Sequence, residues 1–119
     1  MAYINDNAFD AALDYINDAD RLDITSSEAT DVTEARTTYS LGNDSITPGT
    51  PTDGDSSGRK IVIPAISAGS VTANGTAAYW AISNTSVLQA TGSLSSSQAV
   101  TSGNQFTLGA FDITFPDAT

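Results

Sequence analysis

Residues 71–94 constrain the fold of this chain more than any other stretch, because their pattern is typical of adjoining β-strands. Asn74-Gly75 predicts a tight turn, since both residues tolerate positive φ and β-forming residues flank them. We therefore expect a β-hairpin at this turn. Alternate side chains of a strand lie on opposite faces of the sheet, so Ala78, Trp80 and Ile82 share one face. We predict that Trp80, the only Trp, packs at the centre of the core.

The length of the chain is sufficient for one compact core. It has 119 residues, of which 39% are hydrophobic. We expect a single domain over residues 1–119, with a helix-containing N-terminal part (1–42), an exposed loop (43–58) and a β half (59–119). Without Cys, the sequence does not indicate a redox compartment. The first residues contain neither a basic region nor an unbroken apolar run, so we expect a soluble chain without a cleaved signal peptide.

Charge is distributed unevenly along the chain. The net charge is −10, yet no charged residue occurs from Ile61 to Phe111. Because a monomer usually spreads charge over its surface, an uncharged stretch of this length predicts a contact within an assembly, with a solvated Ser/Thr surface as the alternative. Nucleic acids require clustered Lys and Arg, and only Arg59-Lys60 are adjacent. We therefore expect neither nucleic acid nor membrane as a partner.

Residues 5–18 have the periodicity of an amphipathic helix. Asn5 or Asp6 can serve as its N-cap. The apolar positions recur at three- and four-residue spacing and predict one buried face, formed by Ala8, Phe9, Ala12, Leu13 and Ile16. We expect this face to pack on the chain's own sheet, with a neighbouring subunit as the alternative.

Two shorter patterns follow this helix. Residues 22–25 alternate in polarity and predict a short strand. Residues 31–34, from Asp31 to Glu34, resemble a capping box and predict a second helix that continues to Leu41 and stops at Gly42, with an irregular loop as the alternative.

The β half contains a series of strand and turn signals. Residues 59–63 predict a strand that ends at Pro64, either at a sheet edge or at a bulge. Residues 102–104 predict another turn. In the last strand, Phe111, Ile113 and Phe115 share one face. We predict a mainly β fold, an antiparallel β-sandwich of about six or seven short strands with an N-terminal amphipathic helix.

The sequence offers little for chemistry. It lacks His and Cys, the commonest general base and the usual zinc ligands. Asp112 is the only acid on a predicted strand of the β half and has no obvious partner for catalysis. Asp53 with Asp55, or Asp18 with Asp20, lack the spacing of a calcium loop. Singly spaced aromatic residues do not predict a sugar-binding platform. We assign no catalytic, cofactor-binding or metal-binding residue and expect no enzyme, and weak calcium binding at Asp53 and Asp55 stays open.

Several motifs together resemble small accessory structural proteins of tailed bacteriophages. They cover most of the chain in a fixed order: residues 39–42, 57–60, 69–77 with Trp80-Ala81, 90–94 and 99–104. The resemblance implies a virion component without catalytic residues. It does not distinguish head, neck and tail.

Together with the uneven charge, this resemblance leads to a functional hypothesis. We expect a capsid decoration or cement subunit that forms homo-oligomers, binds other virion proteins and is assembled into the virion in the host cytoplasm. The alternative is a tail or fibre-attachment binding module involved in host recognition, which would use residues 43–58 as a variable tip.

Overall fold

The computed structural model describes residues 5–54 and 58–115, and the fold is mainly β. In this part of the chain, one α-helix, α1 (Asp6–Asn17), precedes the strands, and a five-residue π-helix, Glu34–Thr38, lies between the first two of them. The described strands are β1 (Arg21–Thr25), β2 (Ser40–Ser45), β3 (Thr52–Asp53), β4 (Arg59–Ile63), β5 (Ile66–Val71), β6 (Gly75–Ser83), β7 (Leu88–Val100), β8 (Gln105–Leu108) and β9 (Phe111–Phe115).

The strands form two antiparallel sheets. The larger sheet has six strands in the order β7-β6-β1-β2-β5-β8, and the smaller has three in the order β3-β4-β9. The larger sheet is curled, and the arrangement is sandwich-like. The predicted fold class, an antiparallel β-sandwich with an N-terminal helix, is therefore confirmed. There are about nine strands where the sequence predicted six or seven, because β2 and β3 occupy a predicted helix end and a predicted loop.

Strand β1 lies near the middle of the larger sheet, and both of its faces are buried. Leu22 and Ile24 belong to the main core, which also contains residues of α1 and of β4. Asp23 faces the other side together with its cross-strand partner Ala81, which packs against Ala29 and Ala35. Residues 26–39 therefore cover the second face of the sheet. The predicted strand at residues 22–25 is confirmed.

Helix α1 packs on its own chain, the arrangement that we expected. Asn5 is the N-cap, since its side chain accepts a hydrogen bond from the backbone N–H of Asn7 at 2.8 Å. Leu13 and Ile16 are buried in the main core, and the ring centroid of Phe9 lies 6.1 Å from that of Phe115. The predicted apolar face is narrower than expected, because two of its members, Ala8 and Ala12, are exposed.

The predicted second helix is largely wrong. The backbone N–H of Glu34 donates to the Asp31 side chain at 2.8 Å, as in half of a capping box, but the helix is short and its π-helical part ends at Thr38. Leu41 and Gly42 belong to β2. Gly42 is not a helix stop, because it lies where two strands approach closely: a Cβ there would come within 2.6 Å of the Ser70 carbonyl oxygen.

The predicted hairpin at Asn74-Gly75 is also wrong. Strands β5 and β6 follow each other here, but they do not pair with each other, and Gly75 is the first residue of β6 rather than part of a tight turn. The backbone N–H groups of Thr72 and Ala73 donate to the carbonyl oxygen of Leu41, at 2.8 and 3.2 Å. These bonds direct the chain past the end of β2, so β5 pairs with β2 on one side of the sheet and β6 pairs with β1 on the other.

Residues 43–58 form an exposed loop only in part. Ile46 and Pro48 are buried, and the Asn17 side chain donates to the carbonyl oxygens of Pro48 and Gly49 at 3.1 and 2.7 Å. Thr52 and Asp53 form β3 and pair with β4. The prediction is thus corrected for residues 43–53, because local contacts with α1 and β4 order this backbone. Residues 55–57 lie outside the described part.

The last predicted strand is confirmed as β9. It pairs with β4 over five residues, and Phe111, Ile113 and Phe115 are partly buried against the main core while Asp112 and Thr114 are exposed. Strand β4 ends before Pro64, as predicted, but it is the middle strand of the smaller sheet. The expected edge position of β4 is therefore wrong.

Candidate assembly surface

The uncharged part of the sequence supplies both edges of the larger sheet, β7 with β6 at one edge and β8 with β5 at the other, and β1 and β2 lie between these two pairs. Strand β7 is its longest strand, with 13 residues, and it is an edge strand that pairs only with β6 among the described strands. Edge strands expose backbone N–H and C=O groups that can pair with another chain. Proteins commonly protect such edges with charged residues, Pro or bulges, and of these three β7 contains only a bulge.

A large bulge divides β7. Ala77 of β6 pairs with Gln98 and Tyr79 pairs with Ser93, so residues 94–97 of β7 lie opposite Ala78 alone. Such a bulge leaves residues without a partner on the neighbouring strand. Residues 95–99, which we call the exposed β7 segment, are solvent-exposed at every position. Both faces of the strand are therefore uncovered in this segment.

The two edges of the larger sheet meet at one end of the curl. A short turn at residues 101–104 leads directly from β7, one edge, to β8, the other edge. Gly103 in this turn has a φ of 90°, and its N–H donates to the Val71 carbonyl oxygen at 3.0 Å. The N–H of Ser102 donates to the Asn74 side chain at 2.8 Å. The predicted turn at residues 102–104 is confirmed, although β7 and β8 do not pair.

A cleft separates the two edges beyond this turn. Its first groove, with a volume of about 220 Å³, is lined by residues 98–101 and 104–107 together with Val71. A second groove of about 480 Å³ lies between residues 92–95 and 108–112. Of the side chains that line these two grooves, only Asp112 is charged. The cleft therefore offers uncharged side chains on both of its walls.

Trp80 lies beside the second groove, and its predicted position at the centre of the core is wrong. The residue is half-buried at the margin of the main core. Its indole lies against Gly92, where a Cβ would come within 2.6 Å of Cζ2, and its centroid is 4.6 Å from that of Phe111. Because β6 is next to the edge strand, a bulky ring at this position reaches the outer part of the sheet. Smaller side chains, Leu22 and Ile82 among them, fill the centre.

The predicted faces of β6 hold only over part of the strand. Trp80 and Ile82 pack on the main core and Ala81 on the opposite side, as the alternation requires. Ala77 also packs on the main core, on the side predicted for Ala78. The bulge opposite Ala78 accounts for this difference, because it interrupts the regular pairing of the two strands.

Ion pairs involve all the basic residues, and two of these pairs lie within the N-terminal part. Each of the four basic residues of the chain takes part in an ion pair. The pairs and their N–O distances are Arg21 with Asp23 (2.7 Å), Arg36 with Asp20 (2.7 Å), Arg59 with Asp10 (2.8 Å) and Lys60 with Asp112 (3.3 Å).

Arg21 and Arg36 fasten residues 26–39 to the sheet, since the Arg21 guanidinium, paired with Asp23 in the same strand, also donates to the Arg36 carbonyl oxygen at 3.2 Å. The carboxylate of Asp23, fully buried, accepts hydrogen bonds from Arg21 and from the hydroxyl of Ser40 at 2.6 Å. The Arg36 guanidinium donates to Ser83 Oγ at 2.9 Å as well as to Asp20. A buried charge needs such partners, because an unpaired one is costly. These hydrogen bonds and ion pairs therefore have a structural role, which is to stabilise the fold.

Glu34, the first residue of the π-helix, holds the preceding chain in place by hydrogen bonds. Its carboxylate accepts hydrogen bonds from the Thr30 hydroxyl at 2.6 Å and from the Thr30 backbone N–H at 2.8 Å. These bonds favour the ionised form and lower the pKa of Glu34 below its ordinary value. This carboxylate thus acts as a local cap for the chain that precedes the helix.

The acids that the sequence singled out for metal or catalytic chemistry do not come together. Asp53 pairs with Arg59 at 2.7 Å, Asp20 with Arg36 and Asp112 with Lys60. Asp18 is exposed at the end of α1, and Asp55 lies outside the described residues. Over residues 5–54 and 58–115, no group of three or more acidic, His or Cys residues is placed to hold a metal ion. The expectation of no metal and no enzyme stays a prediction.

The main chemical feature of the described surface is therefore an uncharged edge strand beside a cleft in which Asp112 is the one charged lining residue. No helix in the described part of the chain combines the length and the apolar character that a membrane crossing needs. Comparison with known proteins gives no significant match to any family model, curated protein or solved structure.

Proposed function

We propose that this chain is a non-enzymatic structural protein of a phage virion. More specifically, we propose a capsid decoration or cement subunit that acts by oligomeric assembly. The observation that carries the proposal is strand β7, a 13-residue edge strand without a charged residue or Pro in a chain of net charge −10. An edge of this kind is a ready site for pairing with another chain. A protein that works as a monomer would be expected to protect it with charged residues or Pro as well as with a bulge.

Three of the five motifs behind the resemblance to phage structural proteins lie in the same region. Residues 69–77, 90–94 and 99–104 belong to β5, β6, β7 and the turns that join them. The composition points the same way, because a chain without His or Cys lacks the commonest groups for acid–base and nucleophilic catalysis. Both observations support a role in assembly.

The second candidate, a tail or fibre-attachment module, depends on residues 43–58 as a variable tip. Variable binding loops need freedom from the rest of the fold. Here Ile46 and Pro48 are buried, and β3 is tied to β4 by pairing and by the ion pair of Asp53 with Arg59. These contacts favour the decoration hypothesis over the tail hypothesis.

The location of the chain in the particle tests the proposal. We would purify virions produced from the genome that encodes this chain and label them with antibodies for electron microscopy. Regular label over the head supports a decoration subunit, and label confined to the tail supports the second candidate instead. Absence of the chain from purified virions, checked by immunoblotting against a known capsid protein as control, would contradict both.

A further inference from the structure

Resting on the proposed function, a more specific inference concerns the surface that joins one subunit to the next. We propose that the exposed β7 segment, residues 95–99, contacts the same segment of a second copy of this chain about a two-fold axis. Its sequence is Ser-Ser-Ser-Gln-Ala, it contains no charge, and all five residues are exposed.

The absence of charge makes a second copy an acceptable partner at this surface. Two copies of a chain with net charge −10 repel each other wherever their acids lie. The exposed β7 segment and the neighbouring turn at residues 101–104 carry no acid, so a contact there brings no like charges together. A cationic partner would find no carboxylate in this segment, and an anionic partner would find no Lys or Arg. The surface that matches an uncharged polar strand is another uncharged polar strand.

Backbone geometry provides the means of contact. The bulge removes residues 94–97 from regular pairing with β6, and β7 has no strand on its other side within the described residues. The exposed β7 segment therefore presents backbone N–H and C=O groups that a second strand can pair with. Because an antiparallel contact of a segment with itself is self-complementary, it closes into a dimer about a two-fold axis.

The size of the contact sets its strength. Stable interfaces bury roughly 1,200 to 2,000 Å² in total, far more than a segment of five residues and its adjoining turn can provide. We therefore expect weak, concentration-dependent association in solution. On a particle, where many copies are held side by side, the same contact gains from a high effective concentration.

Cysteine cross-linking tests this arrangement directly, because the chain contains no Cys. Ser97, at the centre of the segment, would lie nearest the two-fold axis. Ser67 provides a matched control, since it is an exposed Ser on β5, an inner strand of the same sheet. Under mild oxidation we expect Ser97→Cys to form disulfide-linked dimers at least about tenfold faster than Ser67→Cys, which corresponds to about 1.4 kcal/mol. Denaturant should abolish the difference.

Equal rates for the two variants would overturn the proposal. Cross-linking of a Ser97→Cys and Thr107→Cys mixture, without cross-linking of Ser97→Cys alone, would also overturn it, because that result would place β7 of one copy against β8 of the next. Sedimentation provides a second measurement. Ser97→Lys should raise the dimer dissociation constant at least about tenfold, and Ser67→Lys should leave it nearly unchanged although both add the same charge.

These outcomes can be separated from the test of the proposed function. If the chain is present in virions but Ser97→Cys shows no preference, the contact surface is wrong and the virion role stands. If Ser97→Cys cross-links preferentially but the chain is absent from virions, the contact stands and the virion role is wrong. Circular dichroism of each variant confirms that the substitution at an exposed position leaves the fold intact.

Discussion

The part of the molecule before residue 61 and the strands after it are held together by different interactions. In the first part, ion pairs such as those of Arg36 with Asp20 and Arg59 with Asp10 fasten one segment to another. In the second part, from β5 to β8, the elements are joined by backbone hydrogen bonds and by contacts such as that of Trp80 with Gly92. A region that needs no charge for its own fold can keep an uncharged surface for a partner.

Removal of the Asp23 carboxylate should give the largest loss of folding stability. Asp23→Ala leaves the Arg21 guanidinium and the Ser40 hydroxyl without their buried acceptor. We expect a loss of roughly 3 to 5 kcal/mol in the free energy of unfolding, measured by chemical denaturation. Asp23→Asn keeps the volume and one acceptor and should lose less. A loss below about 1 kcal/mol for Asp23→Ala would show that this ion pair does not hold the N-terminal part together.

Truncation of Trp80 should give the next largest loss of stability, and it tests whether apolar contacts rather than ion pairs hold the second part together. Trp80→Ala removes the ring that packs against Gly92 and Phe111, and we expect a loss of about 3 kcal/mol. Because this contact is apolar, the loss should be the same at low and high salt. Tyr15→Ala, at an aromatic residue that is 53% exposed, is the control and should change stability by less than about 0.5 kcal/mol.

In contrast to Trp80, the contribution of Arg59 to stability should depend on the salt concentration. Its guanidinium joins α1 and β3 to β4 through Asp10 and Asp53, and these contacts raise its pKa further above the ordinary value. Arg59→Gln should lower stability at low salt, and the loss should shrink near 1 M salt, where the Debye length is only about 3 Å. A loss that salt does not change would mean that packing, rather than charge, dominates at this position.

Glu34 should give the smallest effect, visible mainly as a dependence on pH. The Thr30 hydrogen bonds lower its folded pKa below 4.5, so its contribution to stability is present above pH 4.5 and disappears as the pH falls through the folded pKa. The stability difference between the wild type and Glu34→Gln, measured by thermal unfolding, should therefore decline below pH 4.5. Thr30→Ala should reduce the pH dependence in the same way, and an unchanged profile would contradict it.

Features with a local cause could be predicted from the sequence. The cap at Asn5, helix α1 and the alternation of β9 depend on residues only a few positions apart, and the structure contains all three. The hairpin at Asn74-Gly75 could not be judged in this way, because the Leu41 carbonyl oxygen, distant in sequence, receives the N–H groups of the two residues before it. The predicted tight turn is absent as well, since neither Asn74 nor Gly75 has a positive φ and Gly75 already belongs to β6. The path of the chain here is decided by distant residues.

The sequence predicted that the candidate surface would lack charge, but it did not predict which strands would form that surface. The uncharged stretch is visible in the sequence, yet which of its strands lies at an edge depends on the pairing of β6 with β1. The contact of Trp80 with Phe111 and the bulge at residues 94–97 arise from the same long-range pairing. Neither has a local pattern from which it could have been inferred.

The position of β1 between β2 and β6 has a consequence for the order of folding. Strand β1 pairs with β2 soon after it in sequence, but its other neighbour ends at Ser83, which pairs with Arg21. During synthesis, at roughly 5 to 20 residues per second, the centre of the larger sheet cannot close until this distant strand has left the ribosome. The hairpin of β6 and β7 is local and can form as one unit. We therefore expect β6 and β7 to pair first and to dock onto β1 in the slow step, since distant contacts form late.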